Sequence, residues 1–343
     1  MNAPAVKVFF MDRSSRIGLG GFLALLAALA FAPLWAAPEN LRLLAEFYVY
    51  VALASAWNLL AGYAGLVSVG QHAYVGLGGY LLFALTMFAG IPPLWAVPLV
   101  GIVAAVVSIP VAALVFRLRG HYFAIGTWVV AEVFRLLASQ VSVLGGGSGT
   151  SLPVGIVLSI AKTRQWREFA IYWTAFGLAA LVLGLIVALL RSRYGLALTA
   201  IRDNEVVAQS NGVGVARVKR VVYVTTAFCT AMVGAVIFLQ KLRISPDAAF
   251  SINDWTAFVI FIAVIGGVGR IEGPIIGTVI FFALRQLLAD QGVIYLMTLG
   301  VVAIVIMLMA PQGLWGLVAD RLGLQIFPLR RRVAMKNAAV GSP

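Results

Sequence analysis

Few side chains in this sequence could do chemistry, and the clearest candidates are one acid and one base in a long apolar stretch. Glu132 and Arg135 are three positions apart, so a helix places both on one face. Glu132 is the only acidic residue inside the apolar spans that we predict below. Two interpretations stay open: an internal ion pair, or a functional acid kept despite the cost of a charge in apolar surroundings.

Signatures of catalysis and metal binding are missing from the sequence. No glycine precedes a lysine, so the loop that cradles nucleotide phosphates is absent. His72 and His121 stand apart from any Cys, Asp or Glu at metal-ligand spacing, and no Gly-x-Ser-x-Gly elbow occurs. We therefore predict a protein that is not an enzyme, with no catalytic residues, no metal site and no cofactor.

The composition excludes an ordinary soluble protein. Of 343 residues, 62% are hydrophobic and 11% are charged, whereas about a quarter of a soluble chain is charged. A membrane-spanning helix needs about 20 apolar residues, so the chain holds enough for roughly ten spans. The single cysteine, Cys229, excludes an internal disulfide. We predict an all-α polytopic membrane protein embedded in a lipid bilayer.

Long apolar runs separated by charges or by glycine and proline mark the predicted spans. Five of them precede a polar outer loop near 142–168 and five follow it. Two halves with an odd number of spans have opposite orientations, which permits an inverted repeat of five plus five. The ten runs are 17–37, 47–65, 73–91, 94–116, 121–141, 169–190, 220–240, 255–268, 273–289 and 292–310.

The basic residues are distributed unevenly between the two sides of the predicted membrane. Most of the 25 Lys and Arg residues fall on one side if the N-terminus is cytoplasmic, as expected from their retention inside during insertion. The net charge of +13 is therefore a topology signal, and we predict no nucleic-acid partner. The predicted organisation is a cytoplasmic tail 1–16, a membrane domain 17–310 and a basic cytoplasmic tail 311–343.

The longest predicted cytoplasmic connection is 191–220. Its middle favours a short surface helix, and Asn211 and Gly212 tolerate the left-handed conformation at a helix end. One interpretation is a solvated interfacial helix, and the other is a docking element for a cytoplasmic partner.

Glycines interrupt the apolar sequence between Gly62 and Gly79, together with a few hydrogen-bonding side chains. Small residues of this kind allow helices to pack closely. The alternative is non-helical backbone that lines a translocation path, since a bilayer tolerates such backbone only beside protein or water.

These segments together resemble the permease subunits of bacterial branched-chain amino acid ABC importers, of the longer, LivM type. The resemblance covers about 45–310. The segments that carry it are WNLLAGYAGLVSVGQ at 57–71, RLRGHYFAI at 117–125, GGGSG at 145–149, AIRDNE at 200–205, ISP at 244–246 and GGVGRIEGPIIG at 266–277, together with Glu132 and Arg135.

The resemblance implies a bacterial inner-membrane importer that works by alternating access. Its partners would be a second homologous permease, two cytoplasmic ATPase subunits and a periplasmic substrate-binding protein. It implies that 191–220 couples ATP hydrolysis to transport, through Arg202, Asp203, Asn204, Glu205, Ala208 and Gly212. Candidates for the translocation path are Asn58, Ser68, Gln71, His72, Thr127, Glu132 and Ser245.

Some positions depart from the family pattern, namely Gln71 to Tyr74, Thr199, and Val206 in place of an expected Glu. Because of these departures, the identity of the transported solute stays open. It could be a branched-chain or other hydrophobic amino acid, or else urea, an amide or an aromatic acid. A rival function is a proton-coupled secondary transporter that uses Glu132. Such a carrier would transport alone, whereas an ABC permease needs its ATPases.

Overall fold

The computed structural model describes residues 6–9, 13–288, 293–310, 312–322 and 332–335. In this part of the chain the protein is almost entirely helical, which confirms the predicted all-α membrane class. The few strands form two short antiparallel pairs: β1 Val6–Phe9 pairs with β4 Arg332–Met335, and β2 Thr150–Ser151 pairs with β3 Arg243–Ile244.

The first half of the chain forms five helices. Pro38 and Pro93 occupy the first turns of two of them, where the missing amide hydrogen costs nothing. The helices are α1 Arg13–Ala30, α2 Pro38–Asn58 with a π-helical extension Leu59–Tyr63, α3 His72–Met87, α4 Pro93–Val115 and α5 His121–Ser139.

The second half of the chain contains both long and short helices. They are α6 Val154–Ile160, α7 Arg164–Arg191, α8 Arg193–Asp203, α9 Glu205–Ser210, α10 Val215–Lys241, α11 Pro246–Ala249, a π-helical turn Asn253–Ala257 that runs into α12 Phe258–Gly266, α13 Glu272–Leu287, α14 Val293–Met309 and α15 Gly313–Leu322. The predicted outer loop 142–168 therefore contains α6 and the first turn of α7.

A helix lies in each of the ten predicted runs, but among the described residues only seven helical stretches are long and apolar enough to cross a membrane. The apolar helix α3 is shorter than these seven. The count of ten spans therefore stays a prediction. The seven stretches are Pro38–Tyr63, Pro93–Val115, His121–Ser139, Arg164–Arg191, Val215–Lys241, Pro246–Gly266 and Met297–Leu317.

Helices α2 and α10 form the buried centre of the bundle and contact each other. Helix α10 packs on α3 and α4, while α2 packs on α12 and α13, and the two members of each outer pair also contact one another. Helix α2 also packs on α7, so the contacts of α2 and α10 match only in part, and the inverted repeat stays a prediction.

The crossing of α3 and α10 depends on glycine. A Cβ atom at Gly78 would lie 2.1 Å from the carbonyl oxygen of Ala231, and one at Gly234 would lie 2.2 Å from that of Val75. Backbones this close exclude any side chain, as is common where membrane helices cross. Close packing against α10 therefore explains Gly78 of α3.

Candidate functional site

The backbone between the π-helical end of α2 and the start of α3 is not helical. It spans 64–71 and is largely buried, with Ser68 only 4% exposed. The predicted alternatives for 62–79 therefore apply to different parts of it: non-helical backbone before α3, and close glycine packing within α3.

Polar side chains satisfy the buried non-helical backbone. Trp57 Nε1 donates to the carbonyl oxygen of Ser68 at 2.8 Å, and the Ser68 hydroxyl accepts from the amide of Gly70 at 3.2 Å. The amide of Val69 donates to Thr127 Oγ1 of α5 at 3.2 Å. Ser68 and Thr127 thus hold this backbone in place, since an unpaired peptide group in apolar surroundings is costly.

Gln71 and His72 join the start of α3 to the centre of the bundle. Gln71 Nε2 donates to the carbonyl oxygen of Leu53 and to Thr230 Oγ1, both at 3.1 Å. His72 Nδ1 lies 2.9 Å from Thr256 Oγ1 in the π-helical turn before α12. Sequence reasoning missed Thr230 and Thr256, whose only signal is that they are polar residues in apolar runs.

The amide of Asn58 connects α2 to the loop between α12 and α13. Its Nδ2 donates to the carbonyl oxygen of Arg270 at 2.8 Å, and its Oδ1 accepts from the amide of Gly269 at 2.7 Å. Both polar atoms of the side chain are therefore engaged within the protein.

Five of the seven path candidates thus lie buried and hydrogen-bonded inside the chain: Asn58, Ser68, Gln71, His72 and Thr127. One polar atom among them, Gln71 Oε1, has no partner in the described part of the chain. It belongs to a side chain that lines a small cavity with Tyr74, Tyr223, Thr226 and Thr230.

The other two path candidates lie nearer the surface, at a cluster of charged residues on α5 and α11. Arg135 Nη2 donates to Glu132 Oε1 at 2.6 Å, and Arg135 Nη1 donates to Asp247 Oδ1 at 3.1 Å. The side chains of Glu132 and Arg135 are 45% and 30% exposed. Ser245 is partly buried, two residues before Asp247. The predicted pair is confirmed, and Asp247 is a third member that the sequence did not reveal.

Helices α2, α7 and α13 begin earlier than the predicted spans and so include Glu39, Glu46, Glu168 and Glu272. These acids lie before the predicted spans, so the expectation that Glu132 is the only acidic residue inside a span stays a prediction. Two of them have arginine partners in space: Glu46 pairs with Arg285, and Glu168 pairs with Arg42 and Arg164. Glu46 and Glu168 therefore each have one arginine partner from a distant part of the sequence.

The connection 191–220 forms two helices, α8 and α9, where a single helix was expected. Asn204 separates them, because its Oδ1 accepts hydrogen bonds from the amides of Val206 at 3.0 Å and Val207 at 3.1 Å and so begins a new helix. Gly212 has a φ of +83°, which confirms the predicted left-handed residue after the helix end.

The surface of α8 and α9 combines buried apolar anchors with exposed charges. Ala208 is buried, whereas Arg202, Asp203 and Glu205 are exposed. Lys219 Nζ of α10 donates to Glu205 Oε2 at 2.8 Å, which ties α9 to a membrane-spanning helix. Val206 is 73% exposed, so an apolar side chain interrupts the charged surface.

Residues 40–311 match the family model described as the branched-chain amino acid transport system, permease component. The chain belongs to this family of branched-chain amino acid transport permeases. A high-affinity LivM permease of Salmonella typhimurium is 27% identical over 299 residues, which cover 81% of this chain and 70% of that protein. The LivM of Escherichia coli is also 27% identical, over 89% of this chain and 76% of its own length.

This branched-chain permease also resembles two proteins from one further organism. A probable LivM of Methanocaldococcus jannaschii is 24% identical over 71% of this chain and 79% of its own length. A probable LivH of the same organism is 22% identical over 72% of this chain and 82% of its own length.

Proposed function

We propose that this permease forms half of the translocation path of an ATP-driven importer for branched-chain or other hydrophobic amino acids. The observation that carries the proposal is the family match over 40–311. Resemblance to both LivM and LivH proteins supports pairing with a second homologous permease. The importer would sit in the bacterial inner membrane with both termini cytoplasmic, completed by two cytoplasmic ATPase subunits and a periplasmic substrate-binding protein.

The path itself would run along the surface that carries Glu132, Arg135 and Asp247. Half-exposed charges facing lipid are costly, so this surface fits a water-filled path or a subunit interface better than the bilayer. A path shared by two permeases must lie on the outside of each. The five buried candidates would then support the path by fixing the backbone and helices behind it.

The ATPase subunits would bind the exposed face of α8 and α9. Arg202, Asp203 and Glu205 offer charge there, and Val206 and Val207 offer apolar area. Because Asn204 caps α9 and Lys219 ties it to α10, movement of an ATPase would be transmitted to a helix at the centre of the bundle. Alternating access requires such a link between nucleotide state and helix position.

The rival function, a proton-coupled carrier, receives less support. Glu132 accepts hydrogen bonds from Arg135 through both of its oxygens. A guanidinium held this way stabilises the ionised carboxylate, whereas a proton carrier must bind and release a proton in each cycle.

Reconstitution into proteoliposomes distinguishes the ATP-driven importer from the proton-coupled carrier. Proteoliposomes that contain the complete importer should take up leucine, isoleucine and valine when ATP and binding protein are present. The chain alone should be inert with or without a proton gradient. Proton-driven uptake by the chain alone would overturn the proposal, and uptake of urea, acetamide or benzoate in place of leucine would overturn the solute assignment.

A further inference from the structure

A second polar region lies at the other end of α10 from the α8 and α9 segment. It is a cavity of ≈ 430 Å³ between α2, α10, α12 and α13, within the size range of small-molecule sites. Two helices each contribute three lining residues at helical spacing: Glu46, Val49 and Tyr50 from α2, and Ile237, Gln240 and Lys241 from α10. Asp254, Trp255, Phe258 and Arg285 complete the lining.

The floor of this cavity is apolar and aromatic. Val49, Tyr50, Ile237 and Trp255 are each at most 4% exposed. The rings of Tyr50 and Trp255 stack with centroids 6.2 Å apart, and Trp255 Nε1 donates to the carbonyl oxygen of Ala248 at 2.8 Å. The indole is thus fixed in position and presents a rigid apolar surface.

The rim of the cavity carries two acids and two bases. Glu46 Oε1 accepts from Arg285 Nη1 at 2.6 Å, so these two residues neutralise one another. Within the described part of the chain, neither the Asp254 carboxylate nor the Lys241 ammonium has an ion-pair partner. Lys241 Nζ instead lies 4.8 Å from the centroid of the Trp255 ring. One acid and one base without an ion-pair partner among the described residues therefore line the same cavity.

Asp254 and Trp255 lie in the π-helical turn Asn253–Ala257. Single π-helical turns are rare and occur frequently at functional sites, because they shift side chains out of the regular helical positions. Here the turn brings one charged and one aromatic side chain to the same cavity wall.

We propose that this cavity binds a free zwitterionic amino acid with an apolar side chain. The ammonium group would pair with Asp254, the carboxylate with Lys241, and the side chain would lie on Trp255, Tyr50 and Phe258. This inference rests on the proposed function and adds a substrate site contained in a single permease chain, away from the surface of Glu132. At the end of α10 opposite to the coupling segment, the site would receive solute on the side of the binding protein.

Binding to the purified full-length chain tests the proposal without its partners. Radiolabelled L-leucine should bind to the chain after it has been purified in detergent and its bound lipid has been removed. Loss of one charge-assisted contact should weaken binding about tenfold, so 3-methylbutylamine and 4-methylpentanoate should each compete far less well than leucine. Glutamate should compete weakly because its side chain is charged and the cavity floor is apolar.

Charge-neutral variants test the two assignments separately. Asp254→Asn and Lys241→Gln should each reduce leucine affinity about tenfold. Glu39→Gln and Arg243→Gln are matched controls, because both residues are exposed and neither lines the cavity. The controls should bind leucine like the unaltered chain.

Several results would overturn the proposal. These are no leucine binding to the isolated chain, unchanged binding in both cavity variants, or occupancy only by phosphatidylethanolamine, whose headgroup is also zwitterionic. Parallel uptake assays keep the two proposals distinct. Uptake by the complete importer without binding to the isolated chain would reject the cavity site alone, whereas leucine binding without leucine uptake would support the site and reject the proposed function.

Discussion

At the scale of single residues, Arg135 connects two helices through two carboxylates. Glu132 lies on its own helix α5 and Asp247 lies on α11. The three side chains differ in environment, because Asp247 is 86% exposed and can be hydrated while Glu132 is only 45% exposed. Loss of Arg135 should therefore destabilise the charged form of Glu132 more than that of Asp247.

Neutral substitutions of this pair should show coupling. Glu132→Gln and Arg135→Met should each destabilise the protein more than the double variant, with a coupling energy of about 1 kcal/mol for a pair this exposed. Thermal unfolding in detergent measures the stability, and leucine uptake by the complete importer measures function. Additive losses in the two single variants would show that the residues act separately.

At the scale of elements, the break between α8 and α9 and the end of α9 depend on two local features. The Asn204 side chain begins α9, and Gly212 adopts a positive φ after it. Among the described residues no atom lies within 4 Å of the position of a Cβ at Gly212, so its requirement is conformational and not steric. Gly214, two residues later, has a negative φ of −72°.

We therefore expect Gly212→Ala to impair the coupling of ATP hydrolysis to transport and Gly214→Ala to leave this coupling intact. A left-handed alanine costs about 1–2 kcal/mol, enough to shift the end of α9 and the surface offered to the ATPase. We expect ATP hydrolysis that no longer responds to loaded binding protein, or loss of the ATPase subunits, with unchanged affinity of the binding protein for solute. Normal stimulated hydrolysis and uptake in Gly212→Ala would contradict the coupling role.

The α3–α10 crossing gives a second prediction at this scale. Gly234→Ala would place a Cβ 2.2 Å from the carbonyl oxygen of Val75, so the helices would have to separate. Such overpacking typically costs about 1–3 kcal/mol. The matched substitution Gly177→Ala on α7 meets no atom within 4 Å and should be neutral. Thermal stability of the two variants in one detergent decides between them, and equal stability would reject the close crossing.

At the scale of the whole molecule, the orientation of the bundle determines which end meets the ATPases and which meets the binding protein. In a Cys229→Ala background, Ser210→Cys should react with an impermeant thiol reagent in inside-out vesicles and resist it in spheroplasts. Glu39→Cys should show the opposite pattern. Both positions are exposed, so access and not burial controls labelling. Reversed labelling would overturn the topology.

Features that depend on composition or on neighbours along the chain were predictable from the sequence. Apolar runs of about 20 residues predicted the membrane class, because a helix of that length can cross a bilayer. Spacing of three residues predicted the Glu132–Arg135 pair, and Gly212 predicted a helix end. The functional assignment came from resemblance between motifs, which no local pattern could supply. The predicted single helix at 191–220 was wrong because Asn204 competes locally for backbone hydrogen bonds.

The partners of the buried polar residues depend on how distant parts of the chain pack in three dimensions. Asn58 bonds to Arg270, 212 positions away, and Gln71 bonds to Thr230, 159 positions away. The cavity of Asp254 and Lys241 needs four separate helical elements to meet. Helical periodicity specifies the face on which a residue lies but not the helix that this face contacts. That choice depends on how all the helices pack together, so sequence patterns could not show that five path candidates are buried or that Asp254 and Lys241 line one cavity.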